Sequence, residues 1–530
     1  MLRIFRDDVA DPNRFVVTLE LVPGTESRGR RVDTVMGIAR DAFADGRVSA
    51  VSITDNPGGN PSLSPDVLGY QIFSLGMDVI VHFTCRDMNR VGMESRALQL
   101  AMMGMKNILA LTGDYSGKGF GGQGAPVFDL DSVNLACMLG MLSERNQASG
   151  DPEEYFVGCA VSPFKQTEGE TYAQYAKMCK KVGAGAQFLI TQLGYDARKF
   201  AELLRIQERY GISCPTLASL YVLSPGAARI MHQGRVPGAV VTTRLLNQVN
   251  TEWRDKTAGR HAAVERAARL GVVLKGLGYR GIHIGGVHRG FETVALILDR
   301  MAVLEDRWQE FLPEFDYPLP KGFYVYSSCP RPDEQPLAKP LGAASHLSAL
   351  DKAHFHALAG MHRLLFTFDA PWAGLMTTVC RQLDRRRIGR LLVHLTEDPL
   401  KKVFLGCQCC GDCAIQHVAF LCPESQCPKH IRNGACGGSR GGMCEVRPER
   451  QCVWYRAFNR WASVGQTQRM ASECVPPRMW ELNRSSSWLN FYLGRDHQSA
   501  SLEITHFCSA ATCRLSGEDP RRDLAPEGPA

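Results

Sequence analysis

Eight short β-rich runs alternate with amphipathic helical runs across the first 300 residues, and this alternation constrains the fold more than any other feature. The predicted strands are Val16–Val22, Ala50–Thr54, Asp78–Thr84, Asn107–Thr112, Tyr155–Val161, Phe188–Gln192, Pro215–Val222 and Gly281–Ile284. Between the first two, Val32, Val35, Met36, Ala39, Ala42 and Phe43 recur at helical spacing, and Gly46 supplies a stop. Regular β–α alternation predicts parallel strands joined by crossover helices. Eight such units in about 300 residues predict an α/β fold, a (β/α)8 TIM barrel, with a doubly wound open sheet as the alternative.

A chain of 530 residues is too long for one ordinary core, so further domains are expected. Nine cysteines fall within 46 residues: Cys407, Cys409, Cys410, Cys413, Cys422, Cys427, Cys436, Cys444 and Cys452. The 406 residues before them carry seven. Clustered thiols without a disulfide context read as metal ligands. Four thiolates suit zinc or an iron–sulfur cluster equally by residue type, and nine supply two such centres, or one with spares. The domain reading is a barrel over 1–310, a Pro-rich linker over 311–345, a helical, Cys-rich metal-binding domain over 346–465 and a tail over 466–530. The final 14 residues, GEDPRRDLAPEGPA, read as disordered.

No run approaches the roughly 18 apolar residues of a membrane span. The N-terminal MLRIFRDDVADPN has neither an apolar core nor a cleavage site, so no secretory signal is expected. The expected location is the cytoplasm, without a membrane partner. The net charge of +7 sits partly in Arg385–Arg387 and the stretch from Arg447 to Arg460. No aromatic-rich RNA-binding motif accompanies it, so a solvated basic face is expected rather than a nucleic-acid surface.

Catalytic groups of such barrels lie at the C-terminal ends of the strands. Glu20, Thr54, Asp55, His82, Thr84, Gly113, Asp114, Gln192 and Arg289 all fall at those positions. Glu20 stands within VVTLELV, where apolar surroundings predict a raised pKa and hence a general acid. The glycine-rich stretch Gly117–Gly124 formally contains GxGxxG, but no helix opens directly after it. It reads as a βα loop over the site rather than a dinucleotide turn.

Together these segments resemble the methylenetetrahydrofolate reductase family. The matching pieces are LEL around Glu20, VSIT at 51–54, HFTC at 82–85, NILALTGD at 107–114, KKVGAGAQFLITQ at 180–192 and Arg289. The resemblance implies a flavin, FAD or FMN, that passes hydride to 5,10-methylenetetrahydrofolate in one-carbon metabolism and methionine biosynthesis. It implies that Glu20 protonates folate N10 and that Asp114, Gln192 and Arg289 hold the folate. It implies that Thr54, Asp55, His82, Thr112, Gly113, Asp114 and Lys181 line the flavin site. Residues 407–454, with GDCA, LCPESQCPK, NGACGGS and CVWYRA, resemble the C-terminal domain of the partner subunit of such reductases from acetate-forming anaerobes. That likeness implies a [4Fe–4S] cluster or Zn2+, with electrons from ferredoxin, another carrier or NAD(P)H, and a homo-oligomer is the expected assembly. The alternative function is a non-redox folate-binding methyl-transfer or scaffold protein with a structural zinc domain.

Overall fold

The computed structural model describes residues 4–150, 154–326, 347–368 and 370–498. The expected disordered end and most of the expected linker lie outside these residues. Eight parallel strands close into a barrel: β1 (Val16–Leu21), β2 (Ala50–Ile53), β3 (Val79–Thr84), β4 (Asn107–Leu111), β5 (Phe156–Val161), β6 (Phe188–Thr191), β7 (Thr216–Tyr221) and β8 (Gly281–Gly285). β1 closes the ring, pairing Thr18 with Ala50 on one side and with His283 on the other. The eightfold alternation is therefore a barrel, and the open-sheet alternative falls.

Alternation along each strand separates two cores. Val17, Leu19 and Leu21 of β1 face outward into the helical layer with Val51, Ile53, Val79 and Val81. Val16 faces inward with Ala50, Ile80, Leu109, Phe156, Phe188 and Leu217. The N-terminal helix Phe5–Ala10 closes the floor, where Phe5 meets Phe156 and Phe188 edge-on at 5.8 and 5.3 Å. Gly158 is required here, since a Cβ would lie 2.2 Å from the Phe188 ring. With its floor filled by apolar rings, the barrel leaves its polar inward positions at the opposite end.

The helix Arg30–Asp45 ends where predicted, at Gly46 with φ +75° and its N–H on the Ala42 carbonyl. The glycine-rich stretch forms a two-stranded hairpin, Lys118–Gly119 with Gly122–Gln123, and the next helix starts only at Ser132.

After the barrel come three helices, Ala349–Leu365, Ala373–Asp384 and Arg387–Leu405, and then the cysteine-bearing layer. This layer packs onto the barrel rather than beside it. Helix Val453–Ala462 lies on helix Glu168–Gly183, with the Tyr172 and Phe458 rings stacked at 5.6 Å. Trp454 and Trp461 are fully buried in the core shared by both parts. Among the described residues no helix is long and apolar enough to cross a membrane.

Candidate active site

The strands' C-terminal ends open into a cavity of about 540 Å³ that the cysteine-bearing layer roofs. Glu20, Thr54, Asp55, His82, Thr112, Gly113, Asp114, Lys181 and Gln192 all line it. From the roof come Lys429, Cys436, Gly437 and Glu445. A second cavity of about 720 Å³ adjoins it through Asp114, Arg235 and Glu445. With Thr84, the structure thus gathers ten of the eleven barrel residues singled out by sequence for site positions. Arg289 is exposed on the loop after β8 and lines neither cavity.

Glu20 ends the inward row of β1. Its carboxylate lies 3.9 Å from His283 Nε2, and ligand-type atoms of Glu20, His82 and His283 all fall within 4.8 Å of one another. His283 Nδ1 pairs with Thr18 Oγ1 at 2.8 Å, and its Nε2 is 3.4 Å from Ser52 Oγ. The expectation of a raised Glu20 pKa is overturned. Burial does push it up, but His283 3.9 Å away, with His82 and His288 behind it, brings the net below the usual carboxylate value. Thr18 and His283 were missed in the sequence, although β8 sets His283 opposite Thr18 across the closing seam.

Other groups are fixed by the fold. Asp55 accepts from Thr84 Oγ1 at 2.8 Å and pairs with Arg96 at 2.9 Å. Asp114 accepts from the Gly58 amide at 2.9 Å. Gln192 donates to the Pro237 carbonyl at 2.9 Å, leaving its position set by the β7–β8 connection. Thr112 Oγ1 meets Ser132 Oγ at 3.2 Å at the start of a helix. Gly113 has φ +88°, and a Cβ there would sit 3.0 Å from Thr84 Cβ.

The cavity carries unsatisfied polar atoms. Thr54 Oγ1, His82 Nε2, Ser162 Oγ and Glu445 Oε2 are buried without a partner among the described residues. Burial holds the His82 pKa down at about 4, so its ring is neutral near pH 7. Lys177 and Lys181 are buried and donate only to backbone carbonyls, of Gly434 and Ala160. Burial lowers Lys181 to about 8. Neither lysine forms an ion pair among the described residues. Two buried ammonium groups facing a cavity with hydroxyls suit a phosphate-bearing cofactor, so this donor set fits a flavin nucleotide.

Roof and barrel are tied by buried polar contacts. Lys429 donates to the Gly113 carbonyl at 2.7 Å and to Glu445. Lys165 donates to the Gly437 and Ser439 carbonyls, and the Asn433 amide donates to Asp131 at 3.0 Å. Lys429→Met leaves Glu445 without its ammonium partner. We expect a stability loss of about 3–5 kcal/mol, read as a lower urea midpoint by Trp454 and Trp461 fluorescence.

The cysteines separate into two groups. Cys407, Cys410, Cys413 and Cys422 interact electrostatically with one another, with Cys409 at their edge beside Cys407. Cys427, Cys436, Cys444 and Cys452 form the second group, and Cys436 lines the barrel cavity. Burial raises the thiols, Cys422 to about 11 and Cys436 to about 12. Backbone amides nevertheless point at these sulfurs: Lys429 and Ile431 at Cys427, Gly438 at Cys436, Trp454 and Tyr455 at Cys452. Buried sulfurs receiving amide donors fit thiolates neutralised by a metal centre.

The family profile described as "Methylenetetrahydrofolate reductase" matches residues 6–301, and "Methylene-tetrahydrofolate reductase C terminal" matches residues 391–481. The chain is 25% identical over 211 residues to "Probable methylenetetrahydrofolate reductase (NADPH)" of Caenorhabditis elegans, covering 39% of this chain and 29% of that one. It is 23% identical over 287 residues to "Methylenetetrahydrofolate reductase 1" of Schizosaccharomyces pombe, covering 53% and 44%. The chain thus spans less than half the length of these curated relatives. Among solved structures, a Clostridium thermocellum protein described as binding two copies of 5-methyl-5,6,7,8-tetrahydrofolic acid aligns with a TM-score of 0.39 at 10% identity. That alignment covers 57% of this chain and 98% of that one.

Proposed function

The chain belongs to the methylenetetrahydrofolate reductase family, and from that membership we propose that it reduces 5,10-methylenetetrahydrofolate to 5-methyltetrahydrofolate with a bound flavin. The observation that carries this reading is Glu20, paired with His283, at the wall of a cavity whose other wall bears buried, uncompensated lysines. Bound there, the flavin supplies hydride chemistry, and a metal centre on the cysteines supplies single-electron chemistry.

The residues' own part is proton handling and positioning. In the reaction Glu20 delivers one proton, beside the His283 imidazole 3.9 Å away, whose far side Thr18 fixes. Delivered to folate N10, that proton breaks the N10–methylene bond and leaves an N5 iminium, which accepts hydride at the methylene carbon. The Glu20 carboxylate then faces the cation it has helped to form, which a lowered pKa favours. Asp114 and Gln192, each locked by a backbone hydrogen bond, position the pterin, and neutral His82 offers its free Nε2 to the flavin.

Lys177 and Lys181 hold the flavin phosphate. Because Lys181 loses its proton above about pH 8, flavin mononucleotide should bind more weakly at pH 9 than at pH 7. Fluorescence-quenching titration checks this. A Kd that is flat across the interval removes Lys181 from the phosphate site.

Both cysteine groups are assigned to metal centres of the kind found in acetogen-type partner subunits. The contact of Cys436 with the barrel cavity favours iron–sulfur over zinc, since a redox centre has a use there and a structural ion does not. Electrons then come from a protein carrier such as ferredoxin. Anaerobically purified protein should show flavin bands near roughly 370 and 450 nm over a broad iron–sulfur shoulder, and should form methyltetrahydrofolate. A colourless protein that binds folate without turnover supports the non-redox alternative.

A further inference from the structure

Away from the barrel mouth, two histidines face each other inside the cysteine-bearing layer. His417 lies in the turn Ile415–Val418, and His497 comes 80 residues later. Their Nε2 atoms are 3.2 Å apart, with ring planes inclined at 53°. The buried Gln416 side chain lies with its amide nitrogen 3.1 Å from His417 Nε2, and turning the amide end for end would set its oxygen there instead.

The opposite nitrogen of each ring is committed. His417 Nδ1 pairs with Glu473 Oε2 at 2.8 Å, and His497 Nδ1 with Asp412 Oδ1 at 2.5 Å. Carboxylates only accept, so each Nδ1 carries a hydrogen. The two Nε2 atoms then present lone pairs to each other, and such pairs repel at this separation unless a cation lies between them. Two imidazole nitrogens bound at about 2.0–2.1 Å to one tetrahedral zinc lie about 3.3 Å apart. A ligating imidazole that gives its other N–H to a carboxylate is the usual outer-sphere arrangement of histidine metal sites. A shared proton needs only the two rings, whereas here the Gln416 amide also lies against His417 Nε2.

We propose that His417 and His497 form a divalent transition-metal site distinct from both cysteine groups, with Gln416 as third ligand once its amide turns to present its oxygen. Imidazole and amide ligands suit a borderline ion such as Zn2+, and a fourth position is left for water. The site staples distant segments together. Asp412, which orients His497, also accepts from Arg432 at 2.7 Å, and Glu473 anchors the chain just before residues that cross back to the barrel. There the Val475 amide meets Asn433 and its carbonyl meets Asn134. The metal would hold the segment 473–498 against the roof of the active site.

The test uses the full chain with its cysteine-bound metal in place. Zn2+ titration should show one equivalent that His417→Gln lacks. In Glu473→Gln, which removes only an oriented partner, that equivalent should bind about 10- to 100-fold more weakly. Content of the cysteine-bound metal should be unchanged in both variants. Crystals of the wild-type chain soaked in Zn2+ should give an anomalous peak between the two Nε2 atoms. That peak and the Glu473→Gln titration decide the matter even if His417→Gln does not fold. Full zinc uptake by His417→Gln, or no peak between the rings, means that they share a proton, and the proposal is wrong.

Discussion

Glu20→Gln should lower methylenetetrahydrofolate reduction by about 10²- to 10⁴-fold while leaving the flavin spectrum and the unfolding midpoint unchanged. The amide keeps the shape of the carboxyl and its place beside His283 Nε2, 3.9 Å away in the native chain. It removes the proton that opens the imidazolidine ring and the negative charge that faces the iminium. His283→Asn should cost less, because the carboxyl remains and only the neighbouring imidazole and its Thr18 contact are lost. It should also move the pH profile, since His283 is a chief cause of the lowered Glu20 pKa. Without that imidazole, burial dominates and Glu20 titrates higher, so the fall in rate as the acid loses its proton moves to higher pH. Steady-state rates of methyltetrahydrofolate formation between pH 5 and 9 check both variants. Undiminished turnover in Glu20→Gln removes this carboxyl from the chemistry.

The barrel was legible because its signal is local and repeated. Each strand announces itself by β-branched runs, and each crossover helix by its apolar stripe and stop, as at Gly46. Strand polarity then locates the mouth, which is why Glu20, Thr54, His82, Asp114 and Gln192 could be grouped from the sequence and do line one cavity. What lies opposite a residue inside a barrel is not local. VVTLELV shows Glu20 only its apolar neighbours, and those point outward with Leu19 and Leu21. Its true surroundings, His82 and His283, arrive from β3 and β8, and they reverse the sign of the pKa shift expected from burial alone. Arg289 was placed by chain order after β8, and the turn of that loop carries it to the surface. The roof was invisible for the same reason. Nothing in the cysteine spacing tells that Lys429 will meet the Gly113 carbonyl across more than 300 residues.

That roof underlies the second large effect. Cys436→Ala should remove one of the two proposed metal centres, halving cysteine-bound metal, while flavin binding persists. The reason is position: Cys436 belongs to the group with Cys427, Cys444 and Cys452, and it alone among the nine cysteines lines the cavity of Glu20 and Asp114. Flavin reduction by dithionite, a small reductant that reaches the mouth directly, should survive. Reduction by reduced ferredoxin, a protein too large to enter, should fall by more than about tenfold. Cys410→Ala, in the other group, should lose metal equally yet leave the surroundings of Cys436 intact, with Glu445 still paired with Lys429. Metal analysis beside stopped-flow flavin reduction separates the two variants. If Cys436→Ala keeps its full metal complement, the division of thiols into two groups is mistaken. If metal is lost but ferredoxin still reduces the flavin at the native rate, the roof serves to close the cavity and electrons enter by another face.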